Sequence, residues 1–228
     1  MIAASTVDYK VRSFPMPTSP IVFVVDDDIS VRESVELLLR HEGFTVETFI
    51  SAQDFLGRQR TWAPSCLVLD ISLPGLNGLD LQKKIAQDRH DMPIIFVTGH
   101  GDVPMTVQAM KAGAVEFLTK PFSDDVLLNA IRNAIERSRL LLERDAEIRE
   151  LKGRYAHLSS REREVLALVV AGLPNKQVGS DLGISEITVK AHRGSMMRKM
   201  KADSLPELVS MATRLRLLRP SANITAAK

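Results

Sequence analysis

From residue 21 onward the sequence repeatedly alternates short runs rich in β-branched residues with longer stretches of helical periodicity, and no other feature limits the possible fold as strongly. The short runs lie at 21–25, 44–49, 66–70, 93–97 and 114–118, each with the length and residue mix of a strand. Strands separated by helices pair in parallel, which predicts a sheet covered on both faces. Ser30 and Glu33 have capping-box spacing ahead of the apolar residues Val35, Leu38 and Leu39, and Gly43 supplies a stop.

The pattern changes after the fifth run. A helix starting near Ser123 meets neither Gly nor Pro from Asp125 to Arg149, and Gly153 is its first interruption. Residues 137–158 are therefore expected to be a helical linker. Apolar residues at 141, 148, 151, 155 and 158 hint at a heptad seam, but Arg144 occupies one core position and the run is barely three heptads, which favours an amphipathic helix packing on its own domain. Four short helices then follow, opened by Ser159, Asn175, Ser185 and Ser204, the last running to about Leu218. The expected organisation is a flexible leader over 1–19, an α/β domain over 20–136, the linker, an all-α domain over 159–219 and a flexible tail over 220–228.

Charge separates the same two halves. The chain of 228 residues has a net charge of +2, yet residues 20–136 hold 10 basic and 17 acidic side chains, whereas residues 137–228 hold 18 and 10. An acidic half followed by a basic half suits a metal- or phosphate-handling domain joined to one that binds nucleic acid. The single cysteine, Cys66, excludes an intrachain disulfide framework and a multi-cysteine zinc cluster, and its apolar neighbours make it a buried structural thiol in a reducing compartment. No apolar stretch approaches the ~18 residues needed to span a bilayer, and the leader lacks a signal-peptide core, so no membrane association is expected.

Ligands of open parallel sheets bind beyond the carboxyl ends of the strands. There the sequence places Asp26-Asp27-Asp28 after the first run, Asp70 at the end of the third, Thr98-Gly99 after the fourth and Lys120-Pro121 after the fifth. Converging carboxylates repel one another unless a cation neutralises them, and an all-oxygen donor set favours a hard ion such as Mg²⁺, or Mn²⁺ in its place. Such a site can receive phosphate, with Lys120 and the Thr98 hydroxyl offsetting charge on a transferring phosphoryl group. Asp70, on the central strand, is the expected nucleophile. An Asp run after a strand also serves loop solvation or helix capping, but an acid at the buried end of a strand needs a partner.

These residues, with Val24-Val25-Asp26-Asp27-Asp28, Leu67-Val68-Leu69-Asp70, Leu73-Pro74-Gly75, Val97-Thr98-Gly99-His100-Gly101 and Lys120-Pro121-Phe122, resemble the receiver domain of two-component response regulators. The resemblance implies a flavodoxin-like five-stranded sheet of order 2-1-3-4-5, phosphorylation at Asp70, and Mg²⁺ held by Asp26, Asp27, Asp70 and the Ser72 carbonyl. It further implies phosphoryl sensing by Thr98 and Lys120, a cis Lys120-Pro121 bond and Phe117 as a rotating aromatic. Asp28 is the ambiguous member of its triplet. Ser72 and His100 flank the site and are expected to tune dephosphorylation.

In the basic half, the helix predicted from about Glu186 to Lys201 turns Val189, Arg193, Met196 and Met200 to one side, and Lys190, Ala191, Gly194, Ser195, Arg198 and Lys201 to the other. Small residues flanked by cations let a helix enter a major groove, while Asn175 and Lys176 offer donors to phosphate. Thr188 and Arg193 complete the candidate DNA-binding set. Leu158-Ser159-Ser160-Arg161-Glu162-Arg163-Glu164-Val165-Leu166 and Gly183-Ile184-Ser185-Glu186-Ile187-Thr188-Val189-Lys190-Ala191-His192 resemble the LuxR-type helix-turn-helix, whose base-contacting positions would fall at Lys190, Ala191 and Gly194. Gly194 departs from the polar or basic residue usual there, and Asp203 from a basic one.

Together the two resemblances imply a FixJ/NarL-type transcriptional regulator in the cytoplasm, with a sensor histidine kinase, double-stranded promoter DNA and a second copy of itself as partners. Two rival readings are a phosphate-sink protein whose helices bind another protein, and an aspartate-based phosphatase. The cationic helix disfavours the first. Ser72, where a phosphatase would carry a second Asp, disfavours the second and leaves slow self-phosphorylation and self-dephosphorylation as the expected chemistry.

Overall fold

The computed structural model describes residues 19–86, 88–99 and 102–217; the expected leader apart from Ser19, the tail over 220–228, His100 and the end of the last helix at Leu218 lie outside them. The chain divides into two compact units, Met1–Leu142 and Glu143–Lys228.

The first unit contains strands β1 (Ile21–Val25), β2 (Thr45–Phe49), β3 (Ser65–Asp70), β4 (Ile94–Thr98) and β5 (Glu116–Thr119). All are parallel, in the order β2-β1-β3-β4-β5 that the sequence implies. Helices α1 (Ile29–His41), α2 (Ala52–Gly57), α3 (Gly78–Ile85) and α4 (Val103–Lys111) connect them, and α5 (Asp124–Ala156) follows β5.

Alternate strand residues serve different layers, as the two-residue period of a strand requires. Val22, Val24, Cys66, Val68, Ile95 and Val97 pack with Val35 and Leu39 of α1 and Leu127, Ile131 and Ala134 of α5. Phe23, Val25, Leu67, Leu69 and Phe96 pack with Phe55 of α2, Leu81 and Ile85 of α3 and Ala109 of α4. Every residue of β3 is buried, which accounts for its nearly unbroken apolar run and places the Cys66 thiol where burial pushes its pKa up.

Two expectations about element ends are corrected. The side chain capping α1 is Asp28, which accepts from the Ser30 and Val31 amides at 2.8 and 3.5 Å, so Ser30 lies inside the first turn. Ala114 belongs to the terminal turn of α4, where Gly113 adopts a φ of 96° and the Ala114 amide bonds to Ala109, so β5 starts later than expected. The stretch expected as a helical linker continues α5 as one helix to Ala156. Ser138 is buried, accepts from the Ser65 amide at 3.0 Å and donates to the Asp91 carbonyl at 2.6 Å, which ties the start of that stretch to the sheet. Leu151, Tyr155 and Leu158 of the supposed heptad seam join the core of the helical unit.

That second unit adds α6 (Ser160–Val170), α7 (Asn175–Leu182), α8 (Glu186–Met200) and α9 (Leu205–Arg214) around one apolar core. Ser159 and Glu162 form a reciprocal capping box at α6, and Ser185 and Ser204 cap α8 and α9. Asn175 does not cap α7: Pro174 occupies that position without a side-chain hydrogen bond. Among the described residues, no helix is long and apolar enough to cross a membrane.

Gly78 opens α3 against the turn that follows Asp70, and a Cβ at this position would lie 2.5 Å from the Asp70 carbonyl oxygen and 2.9 Å from the Ile71 Cα. Gly78→Ala is therefore expected to destabilise the α/β unit by roughly 2 kcal/mol, the scale of an overpacked contact, as read by urea unfolding.

Candidate functional site

Register brings the strand-end residues together. Val25 pairs with Leu69 and Asp70 with Val97, so Asp26, Asp70 and Thr98 emerge at one edge of the sheet. Asp26 and Asp70 are buried and Asp27 is exposed, and one carboxylate oxygen from each lies within 4.8 Å of the others. Two such charges repel by about 3 kcal/mol at an effective dielectric near 20. The Lys120 ammonium offsets this repulsion, donating to Asp26 Oδ2 at 2.7 Å and to Asp70 Oδ2 at 2.9 Å.

Backbone and side-chain donors fix the rest of the cluster. The Asp28 amide donates to Asp26 Oδ1 at 2.9 Å, and the Ser72 amide donates to Asp70 Oδ1 at 2.9 Å. Arg32 Nη1 holds the Asp26 carbonyl at 2.7 Å, a contact that only proximity in the first turn of α1 could have suggested from sequence. Burial raises the Asp26 pKa and outweighs the opposing hydrogen bonds from Lys120 and the Asp28 amide. Burial would lower the Lys120 pKa, but hydrogen bonds to Asp26 and Asp70 overcome it and hold the ammonium above its ordinary value.

Thr98 is fully buried, and its carbonyl accepts from the Lys120 amide at 2.8 Å. Phe117, half-buried, pairs in register with Phe96, with ring centroids 6.4 Å apart. The Lys120-Pro121 bond is cis. Asp28, the ambiguous acid, is occupied as the α1 cap and is not part of the three-carboxylate cluster. His100 lies outside the described residues.

In the helical unit, α8 buries Val189, Met196 and Met200. Lys176, Lys190, Ala191, Gly194, Arg198 and Lys201 are exposed, and Lys190 pairs with Glu186 at 3.0 Å. Thr188 stays close to the cap, its amide bonded to Ser185 Oγ at 3.1 Å. Three candidates, Ser195, Asn175 and Arg193, are engaged within the unit. Ser195 is half-buried and its hydroxyl donates to Glu162 Oε1 at 2.6 Å, which turns it away from the exposed face. The Asn175 amide oxygen accepts from Arg193 Nη1 at 2.7 Å, joining α7 to α8.

Glu162, absent from the sequence-based candidates, is the polar centre of this unit. It is buried, and Lys199 Nζ donates to its Oε2 at 2.7 Å while the Ser159 amide donates to the same oxygen at 2.7 Å. Although burial alone would raise its pKa, these bonds and the one from Ser195 hold it down to about 2.

An α/β unit with a lysine-bridged acid cluster at its strand ends, followed by a helical unit that exposes a cationic helix, defines a receiver joined to a helix-turn-helix. Residues 22–132 match the response regulator receiver domain, and residues 156–212 match the luxR family of bacterial regulatory proteins. The chain is 51% identical over 198 residues to Nodulation protein W of Bradyrhizobium diazoefficiens, covering 87% of each. It is 46% identical over 197 residues to Transcriptional regulatory protein FixJ of Azorhizobium caulinodans, covering 86% of this chain and 93% of that one. The solved structure of the response regulator StyR is 45% identical, covers 86% of this chain and 100% of that chain, and superposes with a TM-score of 0.76. The chain belongs to the FixJ/NarL-type response regulators, transcription factors of two-component systems.

Two pH effects follow. Because folding raises the Asp26 pKa, its contribution to stability is fully present below the ordinary value near 3.8 and is lost as pH rises through the folded value. Asp26→Asn, which keeps the shape without the charge, should stabilise the α/β unit at neutral pH by on the order of 1 kcal/mol, as read by urea unfolding in chelator. For Glu162 the sign reverses: its contribution is full above the ordinary value near 4.5 and fades as pH falls toward about 2. Glu162→Gln should flatten the acid-dependent loss of amide-exchange protection in α6 and α8 across that window.

Proposed function

We propose that Asp70 accepts a phosphoryl group from a sensor histidine kinase and that phosphorylation switches dimerisation and the binding of double-stranded promoter DNA through α8. The observation that carries this reading is the Asp26–Lys120–Asp70 bridge at the strand ends, which holds a carboxylate ready beside a cation. In the transfer, an Asp70 carboxylate oxygen forms a bond to phosphorus as the N–P bond of the kinase's phosphohistidine breaks, leaving the electron pair on the histidine nitrogen and an acyl phosphate on Asp70.

The donor set is all oxygen and suits Mg²⁺ or Mn²⁺, which Asp26, Asp27, Asp70 and the Ser72 carbonyl would hold and which would offset phosphoryl charge. Lys120 leaves Asp26 for a phosphoryl oxygen. The Thr98 hydroxyl, one residue past the Asp70 register, donates to another, and Phe117 turns inward as Thr98 moves. Ser72 and His100 set the rate at which the acyl phosphate is lost. The chain acts on no external substrate and catalyses only slow self-phosphorylation and self-dephosphorylation. It works in the cytoplasm, where kinase and chromosome are both within reach.

Lys176, Arg198 and Lys201 then face DNA phosphates, and Lys190, Ala191 and Gly194 face base edges. Asp70→Asn should abolish both the mass gain on incubation with acetyl phosphate and the accompanying rise in dimer fraction; an undiminished response would place the acceptor elsewhere. DNA affinity of the phosphorylated chain should fall linearly on a log–log plot against salt, and a flat response would remove phosphate contacts from the account.

A further inference from the structure

One large apolar side chain of α8 serves neither the core nor the DNA contacts proposed above. Ile187 is 80% exposed, more than any other large apolar residue among those described. It lies in the first turn of α8, two residues after the cap Ser185. At 100° per residue it shares one line along the helix with Ala191, Gly194 and Arg198, all exposed, with exposed Lys190 beside that line. Buried Val189, Met196 and Met200 face the other way. Among the described residues, nothing lies within 4 Å of a Cβ built at Gly194, so this glycine is not there to admit a neighbouring helix.

The strip is thus apolar and shallow at its start and cationic further along. Isoleucine can neither donate to nor accept from a base edge, and its burial stabilises a complex only against another apolar group. The apolar group that a major groove presents is the thymine C5 methyl. The N-terminal residues of a recognition helix are those that reach base edges. Lys190 and Arg198 on the same face, with no acidic residue after Glu186 in α8, match a polyanion.

We propose that Ile187 is a specificity-determining residue that reads a thymine methyl in each half-site, with Ala191 and Gly194 letting the helix come close enough for that contact. The inference rests on the assignment of α8 to DNA made above. It is tested with the full-length chain, phosphorylated by acetyl phosphate in Mg²⁺ and used to select duplexes from a randomised library. In a selected duplex each thymine is replaced singly by deoxyuridine, which removes only the methyl.

One position per half-site is expected where the replacement weakens wild-type binding about fourfold, the equivalent of about 0.8 kcal/mol for one buried methyl. At that position the Ile187→Ala protein, weaker on the thymine duplex, should no longer distinguish thymine from deoxyuridine, and Ile187→Val should keep part of the distinction. Both variants should melt at the wild-type temperature, because the side chain is exposed. If no thymine methyl matters, or if every methyl that matters to wild type matters equally to Ile187→Ala, the inference is overturned while DNA binding stands. If the phosphorylated chain selects no sequence at all, the assignment of α8 to DNA fails, and the inference with it.

Discussion

The ammonium of Lys120 lies between two carboxylates that could not otherwise share the end of a sheet. Asp26 and Asp70 are both buried, and each oxygen facing the lysine is within hydrogen-bond distance of it. Strand order makes the bridge possible: β3 lies between β1 and β4, so the acid after β1 and the acid that ends β3 emerge side by side. Lys120 reaches them from the turn after β5, whose amide is anchored on Thr98. The same few atoms therefore join the ends of four strands and hold charge in a form that a phosphoryl group can redistribute. Removing Lys120 would leave two buried carboxylates uncompensated, whereas removing Asp26 would leave a balanced pair.

A comparable centre organises the helical unit. Glu162 closes the capping box of α6 and reaches Ser195 and Lys199 of α8, so the helix that carries the exposed cations is fixed to the rest of its unit by one carboxylate. Arg193 and Asn175 add a second polar tie between α7 and α8. These contacts orient α8 without using its outer face, which is left to Ile187, Lys190, Ala191, Gly194 and Arg198.

Much of this was legible in the sequence. Apolar runs that end in an acid, a threonine or a lysine placed Asp70, Thr98 and Lys120 at one sheet edge, because strand direction in a parallel sheet leaves them nowhere else to go. Other parts were not legible for physical reasons. Three consecutive aspartates have the same composition, and only the backbone turn after Val25 separates the acids of the cluster from the cap Asp28. The role of Glu162 depends on a partner 33 positions away at Ser195, a distance no local pattern encodes. Ser195 itself was misplaced because a helical wheel fixes angular position but not the reach of a hydroxyl toward a buried acid. The stretch after residue 136 kept its helical character as expected, yet burial of Ser138 and Leu151 assigned its two ends to different units, which periodicity alone did not resolve.

On the proposed function, charge gathered around Asp70 controls the DNA-binding helix. The most direct measurement follows phosphoryl occupancy by intact mass and DNA affinity on the same samples, as Mg²⁺ is titrated into the full-length chain with acetyl phosphate. The account predicts that both rise together over one range of Mg²⁺ and that neither rises in chelator. Affinity that changes without occupancy, or full occupancy that leaves affinity unchanged, would contradict it.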